Sequence, residues 1–407
     1  SMTNCLFAGE FVDVGGSINQ RGLAIGNGRN GVVTVTNVYV QEQALLGTNQ
    51  VTIGNAYTTN NNTQSNKIKC RDAESCNGAA AYSNIEFDFY VENYNEDATW
   101  MVMSEGAPEL TKFADKTKAA DLTKAPGTRT ALFDTAADSY VIHTAPDFRG
   151  FQAKSANKDF AGVEIKLGAD IDLNPGWNAA NPTEGNPTIW TPIGSFAGTF
   201  DGDMHKVSGI YVTASTSNVG MFSEVSGTVQ ELIVENSYIE NTSTSTSVTS
   251  TGSIVGKLTG TLDTIKSSAY VVLNGSQYAG GIAGEATGSA GTSLTNCWFA
   301  GTVTGSGGHH AQILGGVRGV STCDMTNCLA TGTISPGGDT GGLVGSLWES
   351  TTFKSVLNIS DSLFAGTFSS KPSSNHGAVV GNVRNGKVNI SNVYVQTNSG
   401  IADDQFI

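Results

Sequence analysis

The sequence is poor in charge, in proline and in long apolar runs. Only 14% of its 407 residues are charged, and Pro numbers 9. Lys and Arg number 22 against 36 Asp and Glu, so the net charge is 22 − 36 = −14. This shortage of basic residues argues against a nucleic-acid partner, whose phosphates demand a basic surface, and against anionic membranes. No apolar run approaches the roughly 18 residues of a membrane span.

The six cysteines form no metal-binding pattern. They stand at positions 5, 70, 76, 297, 323 and 328, without a CxxC pair or a histidine at zinc-finger spacing. Cys70 and Cys76 either close a small loop as a disulfide or remain free thiols. For Cys297 and Cys328 we expect packing roles in the core, and a bridge between them is the alternative.

Glycine and short β-rich runs are abundant instead. Gly numbers 50, and brief runs of Val, Ile, Tyr and Phe are separated by Gly and Asn, which predicts β-structure with many turns. No signal peptide opens the chain, and Ser1-Met2 is typical of a cloning remnant. We therefore expect a piece excised from a larger protein.

A repeat of about 30 residues runs through the sequence. Residues 26–40, "GNGRNGVVTVTNVYV", and 381–395, "GNVRNGKVNISNVYV", are identical at ten of fifteen positions. The Asn before the shared "VYV" recurs at Asn236, Asn296, Asn327 and Asn392. Asn tolerates unusual backbone angles, so we expect a bend at each site. Equivalent Asn side chains in stacked units are expected to hydrogen-bond to one another.

A second marker follows each Asn marker by about 17–22 residues. It reads "GGIAG", "AQILG", "GGLVG" and "GAVVG", and it ends in Gly284, Gly315, Gly345 and Gly381 respectively. A glycine at the same place in every unit predicts a tight corner at which a side chain would not fit.

Together these markers predict an all-β parallel β-helix. No unit has enough apolar residues for its own core, whereas stacked units share one. A short helix at about 146–156, with Phe148 and Phe151 on one face, is expected to cap the N-terminal end. We predict terminal coils of a preceding β-helix at 1–82, a junction and linker at 83–137, and a second β-helix of a cap and about seven coils at 138–407, truncated at its C-terminus. In the alternative arrangement, residues 1–82 pack on the far end of the same rod.

The strings "DIDL", "WTPIG", "FAGTFDGDMHKVSGIYV" and "NVGMF", followed by repeated "GGIAG" and "GGLVG", resemble the GLUG-motif β-helix proteins. The resemblance covers about 140–395. It implies a right-handed parallel β-helix in a secreted or surface-anchored bacterial protein, common in gut anaerobes. It implies no single activity, because such modules are similar to stalks, adhesive repeats or accessory parts of secreted peptidases.

Two functions from different classes follow. The first is a non-catalytic spacer or adhesin that binds a glycan or a host surface protein, without nucleic acid or membrane insertion and without a required cofactor; the truncated coils could associate end to end. The second is a carbohydrate-active enzyme, a polysaccharide lyase or glycosidase, which needs carboxylates or a base. The catalytic candidates are the side chains of Asp170, Asp172, Asp201, Asp203 and His205. Strand alternation and turn shape explain these residues without catalysis, so we assign no catalytic residue; Asp201 and Asp203 are also the candidate Ca²⁺ ligands.

The candidate ligand-binding residues are Trp348, His309, His310 and Trp190. Trp348 follows a glycine corner and is the better candidate for an exposed ring that could stack on a sugar. His309 and His310 lie in a Gly-rich stretch and are expected in an exposed loop. Trp298 could also stack on a sugar, but Leu329 takes its place in the repeat, so core packing is the alternative.

Overall fold

The computed structural model describes residues 2–7, 34–40, 63–64, 78–85, 89–90, 98–105, 107–123, 127–134, 137–244, 249–275, 277–288, 290–306, 308–349, 354–370 and 375–396. The chain forms two compact units. The first contains residues 1–132 and 144–150, and the second contains residues 133–143 and 151–407. The predicted boundaries at 82 and 137 stay predictions. Cys70 and Cys76 lie outside the described residues.

The first unit contains a parallel three-stranded sheet. Its strands are Met2–Phe7, Thr34–Val40 and Thr63–Gln64. Cys5 lies opposite Val38, the register that the repeat predicts. The other elements that begin in this unit are the helix Gly78–Asn84, the antiparallel pair Trp100–Met101 and Glu109–Leu110, the 3-10 turns Lys116–Lys118 and Ala131–Asp134, and the helix Ala145–Lys154, which continues into the second unit.

The second unit consists of four parallel sheets, here called A to D. Sheet A has the strands Ser139–Ile142, Glu164–Leu167, Ile171–Asp172, Thr199–Asp201, Lys206–Ser208, Thr228–Glu235, Thr261–Ser267, Thr292–Thr295, Trp298–Phe299, Thr322–Thr326, Leu329–Ala330, Val356–Ser360, Leu363–Phe364, Lys387–Ser391 and Tyr394–Val395. Sheet B has Tyr211–Ala214, Tyr238–Asn241, Tyr270–Leu273, Thr302–Gly305, Thr333–Ile334 and Thr367–Phe368. Sheet C has Asn218–Val219, Ser250–Thr251, Tyr278–Gly280, His309–Ala311, Asp339–Gly341 and His376–Gly377. Sheet D has Ile193–Phe196, Phe222–Val225, Val255–Leu258, Ala283–Gly288, Leu314–Val320, Val344–Trp348 and Val380–Arg384.

This topology confirms the predicted parallel β-solenoid. Each full turn of the chain adds one strand to sheets B, C and D and one or two strands to sheet A, and nine strands of sheet A follow one another along the stack. Neighbouring coils lie one strand spacing apart, about 4.8 Å. The helix is also confirmed, at Ala145–Lys154 rather than 146–156.

Alternation along the strands builds the shared core. In sheet A one inward column contains Phe200, Val229, Leu262 and Leu294, each opposite the next in register and each 0% exposed. On each of these strands, the residues directly before and after the column residue are polar and point outward. No coil has more than a few such apolar residues, so burial depends on the coils above and below.

The marker glycines form a column in sheet D, at corners where successive coils lie too close for a side chain. A Cβ at Gly315 would lie 2.6 Å from the carbonyl oxygen of Gly284, and a Cβ at Gly381 would lie 2.5 Å from that of Gly345. None of these four glycines has a positive φ. Close approach between successive coils, rather than backbone freedom, therefore requires glycine here.

The marker asparagines occupy bends, but not all in one column. Asn296, Asn327 and Asn392 have φ of 54–55° and lie in successive rows of sheet A with Asp361. Asn327 Nδ2 donates to Asn296 Oδ1 at 3.2 Å, and Asn392 Nδ2 donates to Asp361 Oδ1 at 2.6 Å. Asn236 also has a positive φ, of 42°. It precedes a strand of sheet B, however, so the predicted single column is wrong for this residue.

Aromatic side chains fill the first coils of the second unit. The Phe151 ring lies 5.9 Å from the Phe200 ring, 5.8 Å from Phe196 and 5.0 Å from Phe160. Phe151 is 0% exposed. These contacts give the end of the helix the capping role that the sequence predicts.

The last described coil exposes residues that other coils bury. Ile390 is 47% exposed, whereas its neighbour in register, Ile359, is 1% exposed. Val383 is 48% exposed above a fully buried Leu347. Within the described residues no further strand pairs with the far side of this coil.

Candidate functional site

A cluster of aromatic and charged side chains lies at the outer corner between sheets C and D. Tyr278, His309 and Asp339 occupy one position in three successive coils of sheet C. A Cβ at Gly316 in sheet D would overlap the Tyr278 ring, so this glycine makes room for the tyrosine to lean across the corner. Trp348 and Arg384 come from sheet D. We call these five side chains the Trp348 cluster: Tyr278, His309, Asp339, Trp348 and Arg384.

His309 is held on three sides. Its ring stacks on that of Tyr278 with 4.8 Å between centroids and 20° between planes. Its Nδ1 lies 2.9 Å from Asp339 Oδ2. The Trp348 ring packs at 5.8 Å. The Asp339 carboxylate thus holds the imidazole from its Nδ1 side.

Asp339 is an ionised anchor for this histidine. Asn375 Nδ2 donates to Asp339 Oδ1 at 2.9 Å, and Asn382 Nδ2 donates to Oδ2 at 3.0 Å. Burial acts to raise the pKa of Asp339, but the hydrogen bonds from His309, Asn375 and Asn382 outweigh it and lower the pKa. The carboxylate therefore stays charged, and both of its oxygens already accept hydrogen bonds from asparagine side chains.

Trp348 carries an arginine on its ring. Its Cα partner in the next coil is Arg384, whose guanidinium lies 4.3 Å from the centre of a Trp348 ring, a cation–π geometry. Trp348 is half-buried and Arg384 is exposed. Trp348, the sequence's candidate for an exposed ring beyond a glycine corner, is therefore only partly accessible.

A buried carboxylate lies beside the cluster. Glu285 is 2% exposed and accepts from Arg318 Nε at 2.7 Å and from Ser250 Oγ at 3.1 Å. Burial raises the pKa of the Tyr278 hydroxyl well above its usual value, and the negative charge of Glu285 adds to the effect. Tyr278 therefore remains a neutral phenol at physiological pH.

His309 and His310 are not loop residues, contrary to expectation. They form the strand His309–Ala311, and alternation turns His310 into the core, where it is 0% exposed. Its Nδ1 lies 2.7 Å from the carbonyl oxygen of Ser335. Burial lowers the pKa of His310, so its ring is neutral and Nδ1 carries the proton. His310 is thus a core residue, not part of a surface site.

The structure separates the other two candidate tryptophans. Trp190, a proposed sugar-stacking residue, is 1% exposed, and its Nε1 donates to the carbonyl oxygen of Met221 at 3.0 Å, so that prediction is wrong. Trp298 is 36% exposed with Lys266 Nζ 4.2 Å from its ring centre, which excludes the core-packing alternative. The alternation places its neighbours Cys297 and Phe299 inward and Trp298 outward.

The acidic catalytic candidates serve structural turns. Asp170 Oδ1 accepts from the Lys206 amide at 3.0 Å and lies 3.0 Å from His205 Nδ1. Partial burial acts to raise the pKa of Asp170, yet these hydrogen bonds lower it. Asp172 Oδ1 accepts from the Asn174 amide at 3.1 Å.

The two candidate calcium ligands also have protein partners. Asp201 Oδ1 accepts from the Asp203 amide at 2.8 Å, while Asp203 Oδ2 lies 2.9 Å from Lys166 Nζ. In the described part of the chain no three His, Cys, Asp or Glu side chains form a group able to hold a metal ion. Calcium binding stays a prediction.

The cysteines of the repeat are free thiols in the core. Cys297 is 0% and Cys328 2% exposed, and they occupy the same place in adjacent coils of sheet A. A hydrogen bond with Cys328 and burial raise the pKa of Cys297. The packing role is the one that the structure shows.

Comparison with known proteins adds little beyond the fold. No known protein family and no curated protein matches the sequence. The structure is similar to a crystal structure described as that of a "putative immunoglobulin A1 protease" from Bacteroides ovatus, at 22% identity and a TM-score of 0.49, covering 66% of this chain and 78% of that one. A likeness at this level carries no information about activity. No described helix is long and apolar enough to cross a membrane.

The sequence analysis found two of the five residues in the Trp348 cluster. It missed Tyr278, Asp339 and Arg384, because each lies about one coil away from its partner. Asp339 follows His309 by 30 positions, and Arg384 follows Trp348 by 36. The repeat length would have pointed to such pairs if the register had been known to the residue.

Proposed function

We propose that this chain is a non-catalytic β-solenoid module of a large bacterial surface or secreted protein, which acts as a rigid spacer and binds a glycan. The Trp348 cluster supports this proposal. It combines a half-buried indole, a stacked imidazole and an exposed guanidinium on one corner of the rod. Aromatic rings beside a few fixed polar groups are what a sugar site requires. A host surface protein is the other partner class expected for such a module.

The scaffold supports a binding role. Strand pairing fixes Tyr278, His309 and Trp348 on three successive coils. Tyr278 is only 1% exposed and so supports the His309 ring rather than contacting a ligand, whereas His309 and Trp348 are half-buried. Binding residues on strands are held more rigidly than residues on loops. A ligand would therefore meet a preformed surface and would have little ordering entropy to overcome. The expected location is extracellular, in keeping with the resemblance to GLUG-motif proteins.

The roles of the acidic residues favour binding over catalysis. Asp170, Asp201 and Asp203 accept backbone amides or pair with lysine, as turn residues commonly do. Hydrolysis of a glycosidic bond needs two carboxyl groups that flank the bond. Each of these three carboxylates is instead bound to a backbone amide or to a lysine.

One observation favours a second candidate, a polysaccharide lyase. The pair of Asp339 and His309, with a carboxylate at Nδ1, is the arrangement that orients a histidine general base. Arg384 would then neutralise the carboxylate of a uronate. This function requires turnover, which the binding function does not.

The test is a glycan array probed with the wild-type chain, Trp348→Ala and Trp298→Ala. Both tryptophans are accessible, but Trp298 lies on sheet A away from the cluster. We expect glycan binding that Trp348→Ala weakens at least tenfold and Trp298→Ala leaves unchanged. The same polysaccharides are then incubated with the protein and assayed for new reducing ends and for unsaturated uronate. Product formation lost in His309→Ala would favour the lyase, and binding to no glycan would refute the proposed module.

A further inference from the structure

Every carboxylate near the Trp348 cluster is already occupied. Asp339 accepts from two asparagines and lies beside His309. Glu285 pairs with Arg318. Glu349 is 4% exposed and accepts from the Gly319 amide at 2.6 Å and from the Ser355 hydroxyl. These acidic groups are therefore satisfied within the protein and leave little capacity for a ligand's hydroxyl groups.

Arg384, in turn, has no charged partner among the described residues. Its guanidinium lies on Trp348, and it forms no ion pair with any other part of the described chain. Its side chain is exposed. The nearby Arg318, by contrast, pairs with the buried Glu285. In a protein of net charge −14, this arginine is a cation that lies against an aromatic ring and has no ion-pair partner among the described residues.

The ring beneath Arg384 adds direction to this charge. A guanidinium that stacks on indole presents its N–H donors in one plane, and that planar fork matches the two oxygens of a carboxylate. Part of Trp348 remains accessible beside it. A sugar ring against the accessible part of the indole would bring a substituent of the same sugar to the guanidinium, and the His309 ring lies 5.8 Å from the Trp348 ring.

We infer that the ligand of the Trp348 cluster is an acidic glycan whose sugar carboxylate pairs with Arg384. This inference rests on the proposed glycan-binding function and specifies its ligand class. Arg384 supplies the charge-assisted hydrogen bonds, Trp348 supplies the apolar contact for the sugar ring, and the pair of Asp339 and His309 fixes the edge of the site.

The experiment compares one polymer in two charge states. Binding of the full chain to polygalacturonate and to its fully methyl-esterified form is measured by isothermal titration calorimetry at low and at high salt. The variants are Arg384→Gln, Arg384→Lys and, as the control, Lys387→Gln. Lys387 is exposed in the same coil, belongs to sheet A and, within the described residues, forms no ion pair. Its replacement removes an equal charge without touching the cluster.

We expect polygalacturonate to bind at least tenfold more tightly than its ester, with an affinity that falls at high salt. Arg384→Gln should abolish this preference, Lys387→Gln should preserve it, and Arg384→Lys should retain only part of it because an ammonium lacks the planar fork. Circular dichroism of each variant checks that the fold is intact, since an exposed side chain should not affect it.

Three results would overturn the inference while leaving the module function standing. The first is equal binding of both polymers, and the second is an equal effect of Arg384→Gln and Lys387→Gln. Binding to dextran sulfate with no binding to polygalacturonate would also overturn it, since the carboxylate would not be what is recognised. If neither polymer nor any glycan on the array binds, the proposed function itself fails.

Discussion

Replacing two adjacent valines by threonine tests the inward and outward alternation that builds the rod. Val271 is 0% exposed between Ile239 and Val303, which are also 0% exposed. Val272 points outward between Glu240 and Thr304 and is half-buried. Val and Thr have nearly the same shape, so neither substitution opens a cavity, and each adds one hydroxyl group.

The expected cost follows from where that hydroxyl group lies. Burying a hydroxyl without a partner costs about 1–3 kcal/mol, whereas a surface substitution of this kind changes stability by no more than about 0.5 kcal/mol. Val271→Thr should therefore lower the free energy of unfolding by about 1–3 kcal/mol, and Val272→Thr should have almost no effect. Urea unfolding followed by far-ultraviolet circular dichroism measures both. Equal effects, or a larger loss for Val272→Thr, would refute the alternation of this strand.

Further predictions concern the corner, the cap, pH and the thiols. Gly315→Ala should cost about 1–3 kcal/mol because its Cβ would lie 2.6 Å from the Gly284 carbonyl oxygen, whereas Gly194→Ala, at a corner with 3.3 Å of room, should cost far less; thermal unfolding compares them. Phe151→Ala should lower the unfolding free energy by about 3–5 kcal/mol and Phe113→Ala, at an 82% exposed residue, should not; similar losses would contradict the capping role. Burial lowers the pKa of His310, so the unfolded chain takes up a proton that the folded chain excludes, and stability should fall as the pH drops below about 6.5. His310→Gln should flatten the stability curve just below that pH, while the loss through Asp339, whose folded pKa is lowered, should begin only below about pH 4. Burial raises the pKa of Cys323 to about 12, and we expect Cys297, Cys323 and Cys328 to react with a thiol reagent only after unfolding; reaction in the native protein would contradict their core positions.

The repeat could be predicted from the sequence because its markers have steric causes. Gly315 and Gly381 recur because a Cβ would meet the preceding coil. Asn296 and Asn327 recur because the bend requires a positive φ. Phe151 was expected in a cap because its spacing from Phe148 fits one face of a helix. Such constraints act at the same place in every coil and are therefore visible in the sequence as a repeat.

The exact register could not be predicted, and the errors follow from it. "NSYI" at Asn236 and "NCWF" at Asn296 are similar strings that begin at two different bends, since both need a bend residue, a small inward residue and an alternating pair. Trp298 occupies the outward member of such a pair, which the string alone does not reveal.

The candidate site depends on the same information. His309 meets Asp339 and Trp348 meets Arg384 only because successive coils stack at particular offsets. Insertions between coils vary the repeat length, so an offset of 30 in one place is 36 in another. Composition indicated a binding surface on a β-helix, and the structure was needed to find which side chains share a corner.

A crystal structure of the chain with a bound galacturonate oligomer would be the most direct test of how this module works. The account predicts a sugar ring against Trp348 and a sugar carboxylate at about 2.7–2.9 Å from the Arg384 guanidinium, as charge-assisted hydrogen bonds require. An oligomer bound on another face of the rod, or bound at this corner with its carboxylate directed away from Arg384, would contradict it.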